Sequence, residues 1–135
     1  MHDIGKLRVD KRTLKDGKKL SHDRLDLLRS KHVDVVSSML GPSFSPEIID
    51  GVMSHHERFD GQGYPLGLEG EKIPLIGKIL KVADEFQTKI EPRPFRKTIR
   101  TVAKAWSEMM RGKEHSFDPI IVDALGKALR RRGLI

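Results

Sequence analysis

Six side chains with imidazole or carboxylate groups stand where helical stretches turn an apolar face inward or come to an end: His2, Asp3, His32, His55, His56 and Asp84. His32 follows Leu28 by four residues and precedes Val35 and Val36, so it falls on an apolar stripe of helical period. Asp84 follows Leu80 by four and neighbours Ala83. An ionisable group on an inward face needs a partner, because an unpaired buried charge is expelled or neutralised. One shared cation site would satisfy all six. Cysteine is absent, so the donors are nitrogen and oxygen alone, which suits Fe, Mn, Co, Ni or Zn better than Ca or Mg. Six donors exceed one tetrahedral site and point to two ions, with Asp3 as the bridge. Two such ions at about 3.5–4 Å can aim a hydroxide at a phosphorus and neutralise the charge that develops on its oxygens. Lys6, one turn from His2-Asp3, is placed to hydrogen-bond a phosphate as a point charge.

Each residue also has a plainer reading. A lone histidine such as His32 on an apolar face is commonly a hydrogen-bonded core residue, and Asp84 could pair with Lys81 or Lys89. Two histidines closing a helix favour its negative C-terminal end without any metal. Residue types alone leave both readings open. His22 and His115 read as surface residues.

The elements that must position these groups are helical. Residues 2–6 read as the end of a helix, and Ser21 caps a helix reaching Leu40, which Gly41-Pro42 stops. Ser45-Pro46 opens a third helix that leads through Ile49, Val52 and Met53 to His55-His56. Residues 57–74, with four glycines and two prolines, form a long loop. A fourth helix is expected from about Pro74 to Gln87 with Ile76, Ile79, Leu80 and Ala83 inward. A fifth is expected from about Phe95 to Met110 with Ile99, Val102, Ala103 and Trp106 inward. Asp118-Pro119 opens the last, which ends in the arginine run before Gly133. No stretch alternates with period two long enough for a strand, so the fold class is all-α, a helical bundle with one long functional loop.

The 135 residues make one domain at most, 37% hydrophobic and 33% charged. No apolar run approaches the roughly 18 residues that span a membrane, and the expectation is a cytoplasmic chain without membrane contact. A net charge of +7 favours anionic partners. Its basic residues do not alternate with aromatics, and one Trp and one Tyr make no stacking platform, so nucleic acid is not expected as a partner.

HDIGK at 2–6, His32 in RSKHVDVV, HHERFDGQGYPLGLEGEKIPL at 55–75, VAD at 82–84, RPFR at 93–96 and FDP at 117–119 occur in this order. The chain thereby resembles the HD-GYP domain family over essentially its full length, with Gly63-Tyr64-Pro65 as the GYP triad. The resemblance implies an all-helical, metal-dependent phosphodiesterase that hydrolyses cyclic di-GMP to pGpG or GMP, with two or three divalent ions, Fe or Mn before Zn, Ni or Co. It implies that His2, Asp3, His32, His55, His56 and Asp84 are metal ligands and that Asp3 and Lys6 are catalytic, Lys6 at the scissile phosphate. Tyr64, Arg93 and Arg96 match positions near the dinucleotide, and the 57–74 loop matches a surface implicated in contacts with GGDEF-domain proteins. A dimer is one oligomeric state to be considered.

Family domains begin before the HD motif with helices that supply a further ligand. Residues 1–135 are therefore expected to be a partial domain that starts at the motif, with weak or absent hydrolysis by itself. The alternative from another class is an inactive module that binds nucleotide or a GGDEF partner. The chain departs from the family at LRVDK after HDIGK and at Gln87-Thr88 after VAD.

Overall fold

A computed structural model describes residues 44–91 and 100–135. Among these, the regular elements are helices: α1 Pro46–Met53, a 3-10 turn Gly70–Lys72, α2 Leu75–Ile90, α3 Val102–Arg111 and α4 Pro119–Arg131. There is no strand among the described residues, only isolated bridges between Asp60 and Glu69 and between Lys113 and Phe117. The all-α expectation holds there; the helices expected at residues 2–6 and 21–40 lie outside the described residues.

Two helix starts follow directly from their sequences. Pro119 occupies the first turn of α4, and the Asp118 carboxylate accepts from the amides of Ile120 at 2.7 Å and Ile121 at 3.4 Å. This satisfies donors that the first turn otherwise leaves open. The Thr101 hydroxyl accepts from the Lys104 amide at 3.3 Å and starts α3 at Val102. This corrects the expected start near Phe95, since Arg100 and Thr101 are not helical. A β-branched residue with a capping hydroxyl interrupts an apolar pattern that would otherwise read through it.

The inward faces also differ from expectation. On α2, Ile79 is 47% exposed and Ala83 is exposed, whereas Lys78, Val82 and Phe86 are buried. On α3, Ala103 is exposed, and Ala105 and Met109 are fully buried. The reason is that α2 has neighbours on two sides. Val82 and Phe86 join Ala105, Met109, Phe117, Val122 and Leu129 in one core, while Leu80 packs with Val52, Phe44, Ile49 and Met53 in another. Spacing identifies apolar positions but not which neighbour each one meets.

The second of these contacts places the candidate site. Helices α1 and α2 meet at Gly51 and Gly77. A Cβ on Gly51 would strike the Ile76 side chain, and one on Gly77 would strike the Ser54 hydroxyl. The Ser54 hydroxyl donates back to the Asp50 carbonyl at 2.7 Å, so the end of α1 is tied down where α2 crosses it. A second tie joins α2 to α4. The buried Lys78 ammonium lies 2.9 Å from the buried Asp118 carboxylate and 2.9 Å from the exposed Glu71. Burial alone would push Lys78 down and Asp118 up. Glu71 and Asp118 outweigh it for Lys78, which is raised. Lys78 and the capped amides outweigh it for Asp118, which is lowered. The pair is ionised, and its charges compensate one another.

Candidate metal and phosphoester site

His55 and His56 stand in the turn just past the end of α1 at Met53. His55 is 1% exposed, and its Nδ1 hydrogen-bonds the Val52 carbonyl. A carbonyl can only accept, so Nδ1 carries the proton and Nε2 carries the lone pair. A histidine oriented in this way by a backbone carbonyl has the tautomer and rigidity of a metal ligand. His56 is half-buried, its ring centroid 3.9 Å from that of His55.

The loop behind the histidines is closely ordered. The Glu57 side chain is 2% exposed, and its two oxygens accept from the Leu66 amide at 2.7 Å and the Leu68 amide at 3.1 Å. Asp60 and Arg58 form a fork-to-fork pair, with Nε to Oδ1 at 2.9 Å and Nη2 to Oδ2 at 2.5 Å. Asp60 also accepts from the Gln62 amide at 3.1 Å. The guanidinium of Arg58 holds the Asp60 carboxyl well below the ordinary range, at about 2. The Asp60 amide donates to the His115 carbonyl at 2.8 Å, and the Gly70 amide to the Phe59 carbonyl at 3.0 Å, which closes the loop on itself.

Within this frame Tyr64 comes back over the histidines. Its amide reaches the His56 carbonyl at 3.5 Å, and its ring stacks on the His56 imidazole with centroids 4.8 Å apart and planes 22° apart. Gly63 permits the return. A Cβ there would strike the backbone of Glu57 and Arg58, which cannot yield. The Tyr64–Pro65 peptide is cis.

Asp84 is half-buried on α2, two turns beyond Gly77 and so on the same face that meets the end of α1. Among the described residues, no group of three or more histidine and carboxylate side chains is close enough to hold a metal by itself. The expected ligands His2, Asp3 and His32, and the expected phosphate contacts Lys6, Arg93 and Arg96, lie outside the described residues. His55, with Nε2 as its lone-pair nitrogen, and the adjoining His56 fit a divalent ion as donors. An apolar cavity of about 250 Å³ lies behind the loop, among Met53, Pro65, Leu66, Leu68 and Pro74. Asp50 and Glu57 line the same cavity and make it a poor place for a phosphate.

A family model described as "HD domain" matches residues 1–121. The chain belongs to the HD domain family. With Gly63-Tyr64-Pro65 in the loop after the paired histidines, it is of the HD-GYP type. Phosphohydrolases built on the HD domain are metal-dependent. The chain is 36% identical over 129 residues to the cyclic di-GMP phosphodiesterase response regulator RpfG of Xanthomonas campestris pv. campestris, a match covering 93% of this chain and 33% of RpfG. It is 32% identical over 130 residues to a cyclic di-GMP phosphodiesterase of Thermotoga maritima, covering 94% and 35%. It is also 33% identical over 131 residues to the 3'3'-cGAMP-specific phosphodiesterase 3 of Vibrio cholerae, covering 96% and 28%. The chain thus spans about a third of the length of these relatives. The crystal structure of the Vibrio cholerae cyclic GMP-AMP phosphodiesterase V-cGAP3 matches with a TM-score of 0.59 at 22% identity, over 90% of this chain and 32% of that one. At that identity the likeness speaks for the fold of this HD domain.

The sequence pointed to His55, His56, Gly63, Tyr64 and Asp84 but not to Glu57 or to the pairing of Lys78 with Asp118. Glu57 gave no signal of its own, because a glutamate beside a glycine-rich segment ordinarily reads as solvated. Its bonds to Leu66 and Leu68 exist only once the loop has turned back. No described helix is long and apolar enough to cross a membrane.

Proposed function

We propose that this chain carries the metal-binding core of a cyclic di-GMP phosphodiesterase that hydrolyses a phosphodiester bond to give pGpG or GMP. The observation that carries the reading is the His55-His56 pair, with one ring locked by the Val52 carbonyl and the other covered by Tyr64. Two adjoining imidazoles, the His56 ring stacked on Tyr64, would suit a phosphate joined to a planar base. The names of the relatives, most of them cyclic di-GMP phosphodiesterases, support the same substrate class.

In this proposal His2, Asp3, His32, His55, His56 and Asp84 hold two or three divalent ions, Fe or Mn first. When bound, such ions activate water at neutral pH and offset the charge on a phosphoryl group. The remaining work falls to side chains of the chain. Lys6 holds the scissile phosphate, Arg93 and Arg96 bind the second phosphate or stack on a guanine, and Tyr64 closes one side of the base site. The same loop, residues 57–74, with Gln62, Leu66, Gly67 and Glu69 exposed, is offered as a surface for a GGDEF-domain partner.

The test is direct. Protein loaded with Fe or Mn under reducing conditions is expected to convert cyclic di-GMP to pGpG or GMP. Chelation should stop the reaction, and readdition of the ion should restore it. Running 3'3'-cGAMP in parallel separates the two nucleotide specificities found among the relatives. Failure to hydrolyse either dinucleotide with metal bound would overturn the enzymatic reading in favour of a binding module.

A further inference from the structure

Glu57 is a glutamate buried to 2% beside two histidines, and its carboxylate meets two backbone amides nine and eleven residues ahead. A buried carboxylate used only to satisfy amides is costly unless the geometry it fixes matters. The geometry it fixes is that of Tyr64. Residue 57 follows His56 directly, and Leu66 and Leu68 follow Tyr64 by two and four. The carboxylate therefore closes a ring of chain that begins at His56 and carries Tyr64 within it. Gly63 completes the ring, because any larger residue would strike the Glu57 and Arg58 backbone.

We infer that Glu57 is a positioning residue for substrate, whose carboxylate holds the Tyr64 ring over His56 and so sets the distance between the metal ligands and the base site. The inference rests on the proposed phosphodiesterase function but concerns a residue that neither binds metal nor touches substrate. His55 is held by the carbonyl of Val52, a residue of α1. Loss of the Glu57 clasp therefore leaves its Nε2 in place and displaces Tyr64. Substrate binding should suffer more than the chemical step.

Glu57→Gln tests this at nearly constant volume, since the amide replaces one acceptor oxygen by an NH2 that faces a backbone N–H donor. Tyr64 is the chain's only tyrosine, so selectively labelled protein reports its ring as a single NMR signature. The expected result has three parts: E57Q retains wild-type helicity and metal content, and the Tyr64 ring signals move toward those of free tyrosine. KM rises by about tenfold while kcat changes by less than about threefold, the loss expected for one amide–carboxylate bond. Tyr64 signals at the wild-type position in E57Q, or a fall in kcat at constant KM, would overturn the inference. Should E57Q not fold, amide exchange in the wild-type protein decides: slow exchange at Leu66 and Leu68 supports the clasp, and free exchange overturns it. If wild-type protein hydrolyses no cyclic dinucleotide, the proposed function fails, and the Tyr64 signals alone then decide whether Glu57 holds the ring.

Discussion

The phenol of Tyr64 and the imidazole of His56 lie stacked, 4.8 Å between centroids, although seven residues of glycine-containing loop separate them in sequence. A residue expected at the metal and one expected at the substrate are thus parts of one surface. The stack joins the Glu57 and Arg58–Asp60 bonds in ordering the loop behind the histidines.

Removing the ring should expose this dependence. Tyr64→Phe keeps the stacking face and is expected to stay within about threefold of wild-type kcat/KM, whereas Tyr64→Ala should lose about tenfold, in line with an aromatic contact of about 0.5–1.5 kcal/mol. Steady-state kinetics with cyclic di-GMP checks both. Equal values for the two variants would assign Tyr64 no stacking role.

Gly63→Ala is expected to be more damaging than its single methyl suggests. The new Cβ meets backbone atoms of Glu57 and Arg58, so the loop must move as a body. Overpacking of this kind costs about 1–3 kcal/mol, to be read as a lowered midpoint in urea unfolding. An unchanged midpoint with unchanged activity would mean the loop rearranges freely.

The tie between α2 and α4 gives a graded series. Asp118→Asn keeps an oxygen to cap Ile120 but leaves the buried Lys78 with only the exposed Glu71, and Asp118→Ala removes the cap as well. Breaking one side of a buried ion pair costs about 3–5 kcal/mol, and the lost cap adds about 1 kcal/mol in the alanine variant. Denaturant titration should therefore rank wild type above Asn and Asn above Ala.

Acid should loosen the loop only well below neutrality, between about pH 4 and 2. The Asp60 carboxyl titrates at about 2 in the folded protein, held down by Arg58, against an ordinary value of 3.8. A depressed carboxylate contributes stability that is complete above the ordinary value and is lost as pH falls from about 4 toward 2. Because the pair is partly solvated, the contribution is about 1 kcal/mol at most. Asp60→Asn should flatten the pH dependence of unfolding across that window, and a parallel dependence in the variant would remove Asp60 from the account.

Asp84 can be tested apart from turnover. Asp84→Asn is expected to lower the metal content of purified protein, with helicity retained, because an amide is a poorer ligand than a carboxylate. Elemental analysis beside circular dichroism reads this, and full metal occupancy in the variant would take Asp84 out of the ligand set.

Much of this protein was determined by sequence alone. The proline after Ser45, the Asp118-Pro119 start and the glycines at 61, 63, 67 and 70 mark helix beginnings and a loop through local backbone chemistry, which needs no neighbours. The histidine pair and the GYP triad were likewise legible as residue types in a fixed order. Tertiary structure decided what local pattern cannot carry. It divided α2 between two cores, so that Val82 and Phe86 are buried where Ile79 and Ala83 were expected. It began α3 at Val102, and it turned Lys78 inward to meet Asp118 forty residues away. It also gave Glu57 its role. A carboxylate finds backbone amides nine and eleven residues ahead only after the loop has folded back, and that closure depends on Gly63 admitting the chain.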